Sequence, residues 1–199
     1  MNITNFIKKT RLHLLTLAVL CLNSSCKSSQ KLFQENASNW EKNGNATWEF
    51  SDGVLSGSIT RGNSFVVTNE KYDNYILEME FYPDDAINSG VYIHCGEKVF
   101  NTEKCYEVNI SDNNATPANR TGSIVPIGAQ LTPVETVNKW NSLKIKVDGN
   151  HFQAWTNGTL TADATDDKLS NGFIALQALG NNQTNGKVQF KNIKITPLK

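Results

Sequence analysis

Two short segments carry the side chains best suited to handling a polar ligand. Apolar and other residues alternate along Val91-Tyr92-Ile93-His94 and along Tyr106-Glu107-Val108-Asn109-Ile110. On an extended strand, successive side chains take opposite faces. Val91 and Ile93 therefore point one way, and Tyr92 and His94 the other, with Asn88 in phase. Tyr106, Val108 and Ile110 share a side, which leaves Glu107 and Asn109 on the opposite one. If the two strands pair, Tyr92, His94, Glu107 and Asn109 gather on one polar patch. Such a patch suits a sugar. Hydroxyls need paired donors and acceptors, and the C–H side of a sugar ring suits an aromatic surface. Each residue also has a plainer use. Glu107 can be a solvated carboxylate, His94 a surface or turn histidine, Tyr92 a packing residue and Asn88 a turn cap. Trp40, Trp48, Trp140 and Trp155 read as core or sheet-packing residues, and Glu78, Glu80, Asp84 and Asp85 as solvated positions.

The elements that must hold this patch are strands. Aromatic and β-branched residues come in runs broken by Gly, Asn, Asp and Pro. The runs fall at 46–50, 54–59, 64–68, 75–82, 90–95, 105–110, 122–125, 140–147, 152–156, 173–178 and 187–196. Ser51-Asp52-Gly53, Asp148-Gly149-Asn150, Asn157-Gly158 and Asn171-Gly172 mark turns. Leu143, Ile145 and Val147 alternate with Lys144 and Lys146, the pattern of an antiparallel strand with one buried face. No helical period of apolar residues appears in this region. The fold class is therefore all-β, an antiparallel β-sandwich or jelly roll, with a closed barrel as the competitor.

The beginning of the chain reads differently. Lys8, Lys9 and Arg11 precede an apolar run at 14–22, then Asn23, Ser24, Ser25 and Cys26. This is the layout of a secretory signal, and the run is too short to span a bilayer. Leu22-Asn23-Ser24-Ser25-Cys26 resembles a bacterial lipobox, although Asn23 departs from the usual pattern. The expected division is a lipoprotein signal peptide over 1–25, lipidated Cys26 with a short tether over 26–31, and one domain over 32–199. Of the 19 basic and 19 acidic residues, three basic ones fall in the leader, so the mature chain carries a formal charge of −3. A weakly acidic chain lacks the basic footprint of a nucleic-acid binder. Lys27 and the absence of acidic residues over 28–31 point to an exported, membrane-anchored lipoprotein of the outer membrane facing the periplasm. Cys95 and Cys105 are expected to close a hairpin as a disulfide in that oxidising setting, the alternative being two buried thiols. With only His94 nearby they make no zinc site.

Several segments in order resemble one family: WEFSDGVL at 48–55, YILEMEF at 75–81, NSGVYI at 88–93, YEVNISD at 106–112, GFIALQ at 172–177 and FKNIKI at 190–195. Together they are similar to the 3-keto-disaccharide hydrolase domain, over residues 32–198. That resemblance implies a concanavalin A-like lectin/glucanase jelly roll acting on a glycoside or oligosaccharide. His94 stands where the family usually has Arg, and Asn109 where it tends to have Gln. Ala178 follows Leu176-Gln177 where the family often has His. The run Glu-x-Asp-x-x-Glu of related glucanases is missing, which disfavours a pair of flanking carboxylates. The implied chemistry is instead removal of the C2 proton of a 3-keto-glycoside, followed by loss of the C1 substituent. Glu107 or His94 is expected to be the base. Tyr92, Asn88, Asn109 and Gln177 are expected to hold the substrate. No cofactor is assigned; a divalent cation near Asp112 is an open possibility. The competing readings are a carbohydrate-binding module without turnover and a structural lipoprotein.

Overall fold

The structure, a computed structural model, describes residues 28–198. The leader and Cys26 lie outside these residues. In chain order the strands are β1 Gln30–Lys31, β2 Trp40–Asn43, β3 Thr47–Ser51, β4 Val54–Ile59, β5 Asn63–Thr68, β6 Tyr75–Pro83 and β7 Ile87–Cys95. They continue as β8 Tyr106–Ile110, β9 Ile124–Val125, β10 Asn141–Asp148, β11 His151–Thr156, β12 Thr159–Thr165, β13 Phe173–Gly180 and β14 Gly186–Pro197. All eleven expected runs are strands. The additional ones are β1, β2 and β12. β12 follows the Asn157-Gly158 turn, whose two positive φ values (51° and 78°) give the twist that a tight hairpin needs.

The strands form two antiparallel sheets. The eight-stranded sheet runs β12-β11-β10-β6-β14-β4-β3, with β1 also paired to β14. The six-stranded sheet runs β2-β5-β13-β7-β8-β9. Both sheets have open edges, so the architecture is a sandwich and not a closed barrel. Leu77, Phe81, Ile145, Phe152 and Phe190 from the larger sheet bury against Val66, Val91, Val108 and Leu176 from the smaller. Each such side chain contributes about 1.5–3 kcal/mol by leaving water. Trp40 and Trp48 are buried here as expected. Trp140 is instead partly exposed, packed edge-on against Tyr82 with centroids 5.7 Å apart.

The inner faces account for one side of each strand. The smaller sheet also buries its other side. Phe65, Val67, Tyr92, Cys95, Cys105 and Ala175 form a second apolar cluster there, against Phe100 and Phe173. This outer cluster is where the candidate site lies.

Candidate active site

The register of β13, β7 and β8 decides which candidates meet. Tyr92 pairs with Ala175 on one side and Glu107 on the other. Two residues back, Gly90 pairs with Asn109, and the pairing of Leu176 with Val91 sets Gln177 opposite Gly90. The outer face thus carries two neighbouring rows: Ala175, Tyr92 and Glu107, then Gln177, Gly90 and Asn109. Asn88 is in phase one row further on, opposite Leu179, and half-buried.

Gly90 is what lets the rows interlock. A Cβ built on it would lie 2.4 Å from Oε1 and 2.9 Å from Cγ of Glu107. The Glu107 side chain therefore leans out of its own row into the notch that glycine leaves, between Gln177 and Asn109. A glycine within a strand often marks such a close approach. The carboxyl hydrogen-bonds to the Tyr92 hydroxyl, and Gln177 Nε2 donates to that hydroxyl at 3.3 Å. Asn109 Nδ2 donates to the carbonyl of Asn119, which fixes the amide and turns Oδ1 the other way. Oδ1 of Asn109 and Oε1 of Gln177 are buried and have no hydrogen-bond partner. Two unpaired buried acceptors flanking one carboxyl are costly, about 1–3 kcal/mol each. They mark a place where donors are wanted.

Glu107 is only 9% exposed. Burial pushes its carboxyl up to about 7, against a smaller opposing effect of the Tyr92 hydrogen bond. Burial also raises Tyr92, helped by the nearby Glu107 charge, so its hydroxyl stays a donor at neutral pH. A carboxyl that titrates near neutrality can both take and return a proton.

His94 is not part of this group. Strand alternation predicts it beside Tyr92, but β7 carries one extra residue there. Phe173 pairs with Cys95 and Ala175 with Tyr92, so three steps along β7 match two along β13. His94 takes up the bulge with a φ of +52°. The bulge turns the imidazole inward between the sheets and Cys95 outward. Its Nδ1 lies 3.0 Å from the Leu169 carbonyl oxygen and its Nε2 3.2 Å from that of Asp73. The ring packs 5.3 Å from Phe152, with Tyr106 and Tyr75 close by. It is fully buried on the face opposite Glu107 and is a fastening for two loops.

Asp112 is likewise committed. Its carboxylate accepts from Thr121 Oγ1 (2.5 Å), Thr136 N (2.5 Å), Thr136 Oγ1 (2.8 Å) and Val137 N (3.3 Å). Among the described residues no three His, Cys, Asp or Glu side chains converge as a metal site. Cys95 and Cys105 are bonded as a disulfide, with Cα atoms 4.4 Å apart.

Sequence reasoning missed Gly90, Phe65 and Phe100. Gly90 had a signal, a glycine inside a strand. Phe65 had one too, since Phe65-Val66-Val67 is apolar on both faces, the mark of a strand covered on both sides. Phe100 had none.

A family described as the 3-keto-alpha-glucoside-1,2-lyase-like domain matches residues 28–196. No curated protein matches. Among solved structures, a presumptive glycosyl hydrolase from Parabacteroides distasonis superposes with a TM-score of 0.73 at 24% identity, covering 86% of this chain and 100% of its own. The carbohydrate-binding module CBM66 from Bacillus subtilis gives 0.60 at 21%, covering 82% and 99%. A β-glucanase from Bacillus licheniformis gives 0.62 at 14%, covering 88% and 100%. At these identities the likeness establishes the fold, the concanavalin A-like glucanase sandwich.

Proposed function

Because the chain belongs to the 3-keto-alpha-glucoside-1,2-lyase-like domain family, we propose that the site around Glu107 cleaves 3-keto-glycosides, with Glu107 as the base. The observation that carries the reading is a buried carboxyl, raised to about 7, set in the Gly90 notch between two amides with unpaired oxygens.

The C3 ketone acidifies the hydrogen on C2. The Glu107 carboxylate takes that proton, and the C–H electrons move into an enolate across C2 and C3. The enolate collapses to a C1–C2 double bond as the C1–O bond breaks, and the leaving oxygen receives a proton that Glu107 can return. Addition of water across the double bond would complete hydrolysis. Tyr92 remains a neutral donor, and Asn109 and Gln177 flank the carboxyl with buried, unpaired oxygens. Asn88, at the next row, lies within the same face.

The test is turnover of a 3-keto-glucoside beside its parent glucoside. Release of the aglycone from the keto sugar alone is expected. Glu107→Gln is expected to lower that rate on the order of 10³-fold, within the range of general acid–base catalysis, while the chain stays folded. Unchanged turnover in the variant would remove Glu107 from the mechanism. The runner-up is a lectin-like module that binds sugar without cleaving it. The likeness to CBM66 favours it, and binding of both sugars with no release would select it.

We extend the proposal to location: an exported lipoprotein anchored through Cys26 in the outer membrane, facing the periplasm. The Cys95–Cys105 disulfide supports an oxidising compartment. Cys26→Ser is expected to abolish labelling by radioactive fatty acid and move the protein to the soluble fraction; continued labelling would overturn the assignment.

A further inference from the structure

The loop between β7 and β8, residues 96–104, does not hang off the end of the sheet. It is closed at its base by the Cys95–Cys105 disulfide. From there it lies across the outer face of the smaller sheet as a strap. Lys98 Nζ lies 5.0 Å from the centre of the Phe173 ring on β13 and 2.8 Å from Oε1 of Glu41 on β2. Since β2, β5, β13 and β7 are successive neighbours, the strap spans four strands. Phe100 is its inward residue. The Phe100 ring sits 4.5 Å from Phe65, tilted 36°, and 6.5 Å from Tyr92, nearly perpendicular.

Phe65 itself belongs to the notch. It pairs with Gln177, so it extends the row of Gln177, Gly90 and Asn109 toward β2. Its ring meets Tyr92 edge-on at 5.2 Å. Phe65 is buried, while Phe100, lying against it, keeps part of its surface open. The strap thus raises one aromatic ring at the end of the row that holds the carboxyl, across Tyr92 from Glu107.

We propose that Phe100 is the apolar wall of a sugar subsite, taking the C–H face of a pyranose ring set beside Tyr92 and Gln177, its nearest polar neighbours along the row. The disulfide and the Lys98–Glu41 ion pair hold that wall in place. The inference rests on the site assigned above but not on its being catalytic, since a wall of this kind serves binding and turnover alike. An aromatic wall contributes to affinity by ring contact, so its loss is read in binding rather than in the proton-transfer step.

The test uses three variants of the whole protein: Phe100→Ala, Phe100→Leu and Phe100→Tyr. Binding of methyl α-glucoside and of its 3-keto derivative is measured by calorimetry, with KM and kcat for the latter. Phe100→Ala and Phe100→Leu are expected to weaken binding and raise KM about tenfold with kcat within twofold. Phe100→Tyr is expected to keep wild-type values. The leucine variant fills most of the volume, so it separates ring contact from simple filling. If Phe100→Leu binds like wild type, the wall is ordinary packing and the proposal fails. If the wild type binds both sugars through Phe100 but releases nothing, the lyase reading fails and the wall stands. A wild type that binds neither sugar overturns both.

Discussion

On the outer face of the eight-stranded sheet, Lys144 stands opposite Glu78 and Lys191 opposite Glu80. Lys191 reaches Glu80 at 3.2 Å, and Lys144 lies over the Trp155 ring at 4.2 Å. These side chains are half-buried or exposed, spaced as cross-strand pairs of opposite charge. The outer face of the six-stranded sheet carries Phe65, Tyr92, Glu107, Asn109 and Gln177, all buried. The strap accounts for part of that cover. The charges of the first face stay in contact with solvent. Burial changes the second: it raises Glu107 and strands two amide oxygens. A carboxylate is chemically informative where the fold has taken it out of water without giving it a cation. Glu80, on the wet face, is held below the usual carboxylate range chiefly by its Asn192 hydrogen bond.

The contrast is broken most sharply at Gly90. In Gly90→Ala the three atoms nearest the new methyl all belong to the Glu107 side chain. The carboxyl can swing aside, so stability is expected to hold within about 1 kcal/mol. The carboxyl must move by roughly an ångström, and a misplacement of that size costs about 100-fold in rate. The expected result is near-native melting with turnover of a 3-keto-glucoside reduced about 100-fold. Native turnover would mean that the notch does not position Glu107.

Burial of Glu107 also leaves a mark on stability. Folding takes its carboxyl from an ordinary value of 4.5 to about 7. Below pH 4.5 the group is protonated in both the folded and unfolded states and costs nothing. Between 4.5 and 7 the unfolded chain releases the proton that the native state keeps, so stability falls as pH rises. Above 7 the full cost, about 3 kcal/mol, is present. Glu107→Gln removes it. The variant is expected to be more stable than wild type at pH 8 by up to about 3 kcal/mol, with no gain at pH 4, read by urea unfolding. A gain independent of pH would contradict the burial argument.

His94 tests the boundary between the faces. His94→Leu loses the ring nitrogens' contacts with the Leu169 and Asp73 carbonyls and keeps most of the packing. It is expected to cost about 2 kcal/mol in urea unfolding and to leave kcat and KM of the folded fraction unchanged. A selective fall in kcat would return His94 to the chemistry.

His94 is also where the legibility of the sequence ends. The fold was readable because most strands alternate or run apolar over five residues or more, and all eleven expected runs hold strands. β2 was missed because Trp40-Glu41-Lys42-Asn43 is polar after its first residue, and β12 because Thr161-Ala162-Asp163-Ala164 offers little apolar contrast. At the site, alternation put Tyr92, Glu107 and Asn109 on one face, and the Gly90–Asn109 and Tyr92–Glu107 pairing follows that rule. It failed for His94 because a one-residue bulge reverses the faces beyond it, and nothing in Ile93-His94-Cys95 announces a bulge. Phe100 was unreadable for another reason. Its contacts are made by a loop folding over four strands, a long-range fact with no local period.

The smallest effect belongs to the wet face. Lys144→Ala removes a cation from over Trp155 and from opposite Glu78. Both partners remain at least partly solvated, and exposed pairs of this sort contribute a few tenths of a kcal/mol. The loss is expected to stay below about 1 kcal/mol and to shrink further in 0.5 M salt as the Glu78 attraction is screened. Binding and turnover of the 3-keto-glucoside are expected to match wild type, because Lys144 and Glu107 sit on outward surfaces of different sheets with the apolar core between them. A drop in sugar binding in Lys144→Ala would mean that Trp155 and its neighbours form a second sugar surface. The contrast between the two faces would then be one of two binding sites, and burial alone would no longer identify the one that matters.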